Sequence, residues 1–163
     1  MCGAHILQLD IMCAAHIILA VQGQAPSISA MECAMNDRSA VSLTPEHQDF
    51  YERFKSFWAA PTGPRVAELI APDATIHFTG AGTFTGADYV DVMQGMLDTM
   101  VDMKVTPLDC AGNGDRLYIS WESSALIDGQ RRSWLGVDRF RLANGMAIEE
   151  QVIFDSAVLQ PAG

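Results

Sequence analysis

Two acidic residues lie on extended segments either side of a tight turn, where strand pairing would bring them together. Asp138 belongs to the run Arg131 to Leu142 and Glu150 to the run Met146 to Leu159, with Ala143-Asn144-Gly145 between them as a hairpin signal. A three-residue loop pairs Leu142 with Met146 and sets Glu150 directly across from Asp138. Facing carboxyls have Cβ atoms about 5 Å apart, and in a dry site they do not both ionise cheaply. Such a pair holds a proton near neutral pH and passes it to and from a carbonyl or enol. A two-residue Asn144-Gly145 turn instead places Gln151 opposite Asp138. A third reading makes Asp138 a structural carboxylate paired with Arg139, Arg141 or Arg116, with Glu149 and Glu150 solvated.

Other chemistries find little support. Of the four cysteines, Cys2, Cys13 and Cys33 crowd the first part of the chain and Cys110 stands alone. None forms a Cys-x-x-Cys pair, so neither a disulfide framework nor a zinc site is expected, and His5, Cys13 and His16 read as filling in an apolar segment. Alternation turns His77 away from the face shared by Ile76 and Phe78, toward the rim or surface. Gly80-x-Gly82-x-x-x-Gly86 lacks the lysine of a phosphate-cradling loop, and no nucleophile elbow is present. No metal, nucleotide, flavin or other cofactor is expected.

Composition narrows the class. The chain has 163 residues, 49% apolar and 18% charged, which suits a single globular domain. Its net charge of −10 repels phosphate backbones and anionic lipids, so neither nucleic acid nor membrane is an expected partner. Residues 1–40 differ from the rest and read as a poorly ordered leader, with a domain over 41–163. An export signal is the alternative for the leader, but a positive n-region is missing and Asp10 interrupts the apolar stretch. A cytoplasmic protein is expected.

The domain begins with a helix signal: Thr44 as cap, Pro45 at the first position, and Glu46 and Asp49 in the first turn. Phe50, Phe54, Phe57 and Trp58 follow at helical spacing. Pro61-Thr62-Gly63-Pro64 ends that helix, and Arg65 to Ile70 forms a short second one, stopped by Pro72. Ala74 to Phe78 reads as a strand and Gly80 to Gly86 as a turn with a short extended piece. Gly86 to Met100 carries Tyr89, Val90, Met93, Met96, Leu97 and Met100 as a third helix with a gap-filling methionine core. Extended segments follow over Lys104 to Ala111, Arg116 to Ile127, Arg131 to Leu142 and Met146 to Leu159. Segregated helices and a long meander make the class α+β.

This order and its punctuation resemble the SnoaL-like branch of the nuclear transport factor 2-like superfamily. The likeness rests on Ala71-Pro72-Asp73-Ala74-Thr75-Ile76, on Phe84-Thr85-Gly86 opening the third helix, and on the hairpin from Gly136 through Asn144-Gly145 to Ile153-Phe154-Asp155. It covers roughly residues 44–160. The resemblance implies a cone in which a curved antiparallel sheet wraps around helices and leaves an internal apolar pocket. Members include ketosteroid isomerases, polyketide cyclases, epoxide hydrolases and dehydratases, so the fold alone does not select a reaction.

Position by position, two of those chemistries are not matched. Phe78 stands where an isomerase of this family keeps its base, and Phe54 stands near its hydrogen-bonding tyrosine. Ile119, Trp121 and Val152 replace the arginine and two aspartates of the epoxide hydrolases. Asp138 does match the family's aspartate on the penultimate strand, which acts as acid, base or oxyanion donor. The resemblance thus implies a cofactor-free isomerase, cyclase or lyase acting on a small hydrophobic carbonyl compound, with Asp138 as proton carrier and Glu150 as partner. Phe54, Trp58, Phe78, Trp121, Trp134, Val152 and Phe154 are the expected pocket walls. The rival is a non-catalytic ligand-binding or dimer-forming module, favoured by the phenylalanines at 54 and 78. A homodimer is expected, because Tyr118, Val137 and Ile153 face away from the pocket and would otherwise form an exposed apolar patch.

Overall fold

A computed structural model describes residues 43–159, and the leader expected over residues 1–40 falls outside them. Helix α1 spans Pro45–Ala59. Thr44 accepts a hydrogen bond from the His47 amide, and the His47 imidazole accepts one from Thr44 N–H, a reciprocal cap with histidine in the usual glutamate position. Phe50, Phe54 and Phe57 are all buried, so the aromatic stripe is the core face of the helix. Phe50 and Phe54 both pack on Phe140 of the sheet, with ring centroids 4.8 and 5.8 Å away. The expected second helix is a 3₁₀ segment, Gly63–Glu68, because two prolines and a glycine leave room only for tight turns.

Strand β1 runs Ile70–Phe78, opening four residues earlier than the sequence suggested. Pro72 is tolerated because the ladder is irregular between Ile70 and Thr75, where its missing N–H breaks no regular pairing. Strand β2 is Gly82–Thr85, and α2 spans Gly86–Thr99 with Thr85 capping through its hydroxyl to Asp88 N–H. Four long strands follow: β3 Val101–Asn113, β4 Arg116–Ile127, β5 Gln130–Ala143 and β6 Met146–Phe154. A second 3₁₀ segment, Ser156–Leu159, replaces the last part of the expected final strand.

The six strands form one curved open sheet in the order β2-β1-β6-β5-β4-β3. The α+β class holds, with one correction to the expected antiparallel sheet. β6 pairs with β1 in parallel, because the chain returns from the meander to the strand that preceded α2.

The β5–β6 hairpin is closed by two residues, Asn144 and Gly145, both at positive φ (54° and 76°), with Ala143 paired to Met146. Glu46 and Arg53 of α1 hold this turn: the Glu46 carboxylate accepts from Gly145 N–H and the Arg53 guanidinium donates to Gly145 C=O. The register then shifts. Leu142 faces Ala147 but Arg141 faces Glu149, so Ile148 is an extra residue on β6.

At its start, α1 docks on β3 through His47, which is 2% exposed and lies over Gly112. A Cβ at Gly112 would stand 2.2 Å from His47 Nδ1. Gly112→Ala is expected to lower stability by about 1–3 kcal/mol through overpacking, read by urea denaturation. An unchanged midpoint would show that α1 does not depend on this close approach.

Candidate active site

The bulge at Ile148 decides where the two acids stand. Asp138 pairs with Val152 on one side and Ile119 on the other, while Glu150 pairs with Phe140 and Ile76. Neither register expected from the sequence is observed. The two-residue turn is present, but the extra residue moves Gln151 opposite Arg139 and returns Glu150 to the face of Asp138. The carboxyls are diagonal neighbours, not directly opposed, and diagonal Cβ atoms lie about 7–8 Å apart. They are 4% and 5% exposed.

That face borders a cavity between the sheet and the helices. The cavity offers about 50 Å³ to the centres of water-sized molecules, within about 560 Å³ of atom-free space that includes its mouth. A few waters would fill the enclosed part; a cavity that takes one benzene measures about 150 Å³, so an aromatic ligand would also occupy the mouth. Of the expected walls, Phe54, Trp58, Phe78, Trp121, Trp134 and Val152 do line it. Phe154 does not; it stands behind the wall, with ring centroids 5.7 Å from Phe78 and 6.3 Å from Trp121. The Trp121 indole occupies the space a side chain would take at Gly136, where an added Cβ would come within 2.2 Å of the ring. That glycine gives the Trp121 indole its place.

The arginines next to Asp138 in sequence do not neutralise it. Strand alternation sends Arg139 and Arg141 to the opposite face, where both bond Glu149, at 2.9 and 3.3 Å. The reading of Asp138 as an arginine-paired carboxylate is therefore overturned, and so is that of Glu150 as solvated. Among the described residues no lysine, arginine or histidine lines the cavity. Burial pushes Asp138 from 3.8 up to about 7. The nearby Trp121 N–H pulls the other way, but neither Trp121 Nε1 nor Asp138 Oδ1 closes a well-formed hydrogen bond. Burial, and then the charge of Asp138, raise Glu150 well above the ordinary carboxyl range.

Two polar cavity residues were not singled out from the sequence. Tyr89 of α2 is buried and close enough to both acids that their charge, after burial itself, raises its phenol. Its place in a helical stripe had marked it only as core. Ser123 of β4 is 1% exposed, and a lone serine in a strand carries no sequence signal. His77 is exposed and bonds Thr83, outside the cavity. Among the described residues no three His, Cys, Asp or Glu side chains converge as a metal-ligand set.

The raised acids have a measurable consequence. Folded Asp138 and Glu150 hold protons more tightly than in the unfolded chain, so their stabilising contribution is complete below pH about 4. The share of Asp138 falls as pH rises through about 7, and that of Glu150 as pH rises through its own raised value. The rise of Asp138 from 3.8 to about 7 corresponds to about 4 kcal/mol at most. Asp138→Asn is therefore expected to be more stable than the parent by about 2–4 kcal/mol at pH 8 and nearly equal to it at pH 4. Chemical denaturation at the two pH values checks this; a variant weaker than the parent at pH 8 would mean the carboxylate is stabilised as an anion.

Comparison with known proteins agrees with this architecture. A SnoaL-like protein from Jannaschia, described as a candidate polyketide cyclase, superposes with a TM-score of 0.61 at 16% identity, over 74% of this chain and 99% of its own. An NTF2-like protein of unknown function from Burkholderia pseudomallei gives 0.62 at 20% identity, over 70% and 94%. IdmH from Streptomyces antibioticus, likewise a candidate polyketide cyclase, gives 0.61 at 19% identity, over 69% and 94%. At these identities the likeness is one of fold. No curated protein sequence matches the chain. The sequence pattern of the SnoaL-like domain matches residues 48–150, across the helices, the cavity and both buried acids, and the chain belongs to the SnoaL-like family.

Proposed function

We propose that this protein binds a small, mostly apolar carbonyl compound in the cavity and moves a proton on it without a cofactor. The carrying observation is the pair of buried carboxyls that face an apolar cavity with no cationic side chain in its lining. Near neutral pH such a pair keeps a proton on one carboxyl while the other takes a proton from the carbon beside the carbonyl. The protonated carboxyl, or the Tyr89 phenol beside it, donates to the carbonyl oxygen, and an enol results. Returning the proton at another carbon isomerises the compound. Attack by the enol on a second carbonyl closes a ring, and loss of a hydroxyl as water dehydrates it. Asp138 carries the proton and Glu150 tunes it; Phe54, Trp58, Phe78, Trp121, Trp134 and Val152 hold the ligand, with Phe154 in support. This reading is compatible with neighbours described as candidate cyclases.

The test is exchange of the protons next to the carbonyl in D₂O, followed by NMR over a panel of aromatic ketones. Asp138→Asn is expected to lower the exchange rate by about 10²–10⁴-fold while weakening ketone binding by no more than about tenfold, and Glu150→Gln to lower the rate less and move the pH optimum. Phe54 and Phe78, apolar where other members keep polar groups, favour a second reading as a ligand carrier. Ketones that bind without any enzyme-dependent exchange would select it.

The outer face of the sheet supports a homodimer. Leu135, Leu108 and Ile153 are 66%, 52% and 44% exposed and border one shallow depression with Val137, and Tyr118 is exposed nearby. Sedimentation at tens of micromolar, a range chosen from ordinary dimer affinities, is expected to give twice the chain mass of 17.7 kDa. Leu135→Glu should shift it to monomer; a parent that is already monomeric there would end the dimer reading. No helix among the described residues is long and apolar enough to cross a membrane. Action in the cytoplasm is part of the proposal.

A further inference from the structure

The acid pair is not the only unsatisfied polar group in the cavity. Ser123 Oγ and Trp58 Nε1 are buried without a hydrogen-bond partner, Trp121 Nε1 has only its imperfect approach to Asp138, and all three residues line it. Buried polar atoms in native proteins are nearly always bonded, so orphans converging on one space point to what fills it.

Ser123 is set apart from the acids by the register. Asp138 pairs with Ile119, and Ser123 stands four residues further along β4, on the same face, paired with Trp134 and Val105. Four residues of strand span about 13 Å, and Trp121 lies between. We infer that Ser123 is a second polar anchor at the far end of the cavity from the acid pair, holding an oxygen function on the distal end of the ligand. The inference rests on the reading of the cavity as a ligand site and adds a requirement to it. Subtracting two hydrogen bonds of about 2.8 Å leaves about 8 Å between the ligand's terminal oxygens, the length of a fused two-ring aromatic system.

The lining defines the rest of the ligand's chemistry. Indole N–H groups donate only, and a serine hydroxyl donates or accepts, so carbonyl, hydroxyl or ether oxygens satisfy them. An anionic group would enter a space with no cation in its described lining to receive it. The ligand class is flat, not anionic, and oxygenated at both ends. A structural serine has a different signature. Removing a hydroxyl that makes a hydrogen bond destabilises a protein, whereas removing one with no partner leaves stability unchanged or raises it.

Ser123→Ala and Asp138→Asn variants of the full chain would be titrated with two probes by calorimetry. One is a naphthalenediol with its hydroxyls at opposite ends of the rings, and the other a naphthol carrying only one. The parent is expected to bind the diol about fivefold to tenfold more tightly than the naphthol. Ser123→Ala should erase that preference by weakening the diol alone, with a melting temperature no lower than the parent's. A parent without preference, an equal loss for both probes, or a lower melting temperature for Ser123→Ala would overturn the anchor. In those cases naphthol binding that still responds to Asp138→Asn leaves the cavity reading standing. Failure of both probes to bind the parent, or binding indifferent to both substitutions, would overturn the cavity reading and the anchor together.

Discussion

Two carboxyl groups buried on one face of the sheet, with no cation to meet them, constrain the rest of the site. Parity is what puts them there, since a slip of one residue in strand pairing sends every side chain to the other face. A two-residue turn followed by regular pairing would align Asp138 with Gln151 and bring Glu149 to the cavity. Ile148 prevents this by adding one residue to β6. The turn is in turn held by Glu46 and Arg53 of α1. The helix that supplies Phe54 and Trp58 to the cavity thus also anchors the hairpin that supplies its acids. Glu149, one residue from Glu150, shows the opposite outcome: on the outer face it lies between two arginines and its carboxyl is pulled below the ordinary range despite some burial.

The cavity depends on an absence as much as on its walls. Trp121 lies flat where β5 has Gly136, and any larger residue there would displace the indole. Its N–H is then left beside Asp138. Around it, Phe78 contacts Tyr89 and Phe154 at centroid separations of 6.3 and 5.7 Å. Tilted and edge-to-face contacts of this kind fix ring orientations more firmly than aliphatic packing does. The side formed by Met93, Met96 and Met103 is softer, because unbranched thioether chains repack easily. One wall is rigid and aromatic, the other adaptable.

Much of this arrangement was legible in the residues. The aromatic stripe from Phe50 to Phe57 and the cap at Thr44 carry local signals and appear where those signals put them; the hairpin is also present, but closed by Asn144-Gly145 alone and not by the three-residue loop with Ala143. Alternation along β5 placed Asp138 with Trp134, Gly136 and Phe140 for the same reason. The bulge at Ile148 had no such signal: an isoleucine in a strand looks like any other strand residue, and only the pairing of both neighbours exposes it. The parallel junction of β1 and β6 is likewise a long-range fact with no local mark. Phe154 was assigned to the pocket by alternation, which gives the face but not the depth, and Trp121 fills the space in front of it. Ser123 and Tyr89 became visible only when burial and missing partners were known.

Dryness connects the cavity's size to its chemistry. The carboxyls are raised chiefly by burial, so their proton affinity depends on what occupies the adjoining space. Water there would solvate the charged forms and draw both acids back toward ordinary values. A flat apolar molecule of matching length would exclude that water and keep them raised, holding the proton available for transfer. Phe78 and Met96 line both this cavity and a neighbouring open depression of about 300 Å³ bounded by the Ser156–Leu159 segment. At that point one ring and one flexible thioether part the two spaces. A ligand entering there displaces a side chain that readily finds another rotamer, while the aromatic wall and the acids behind it stay in place.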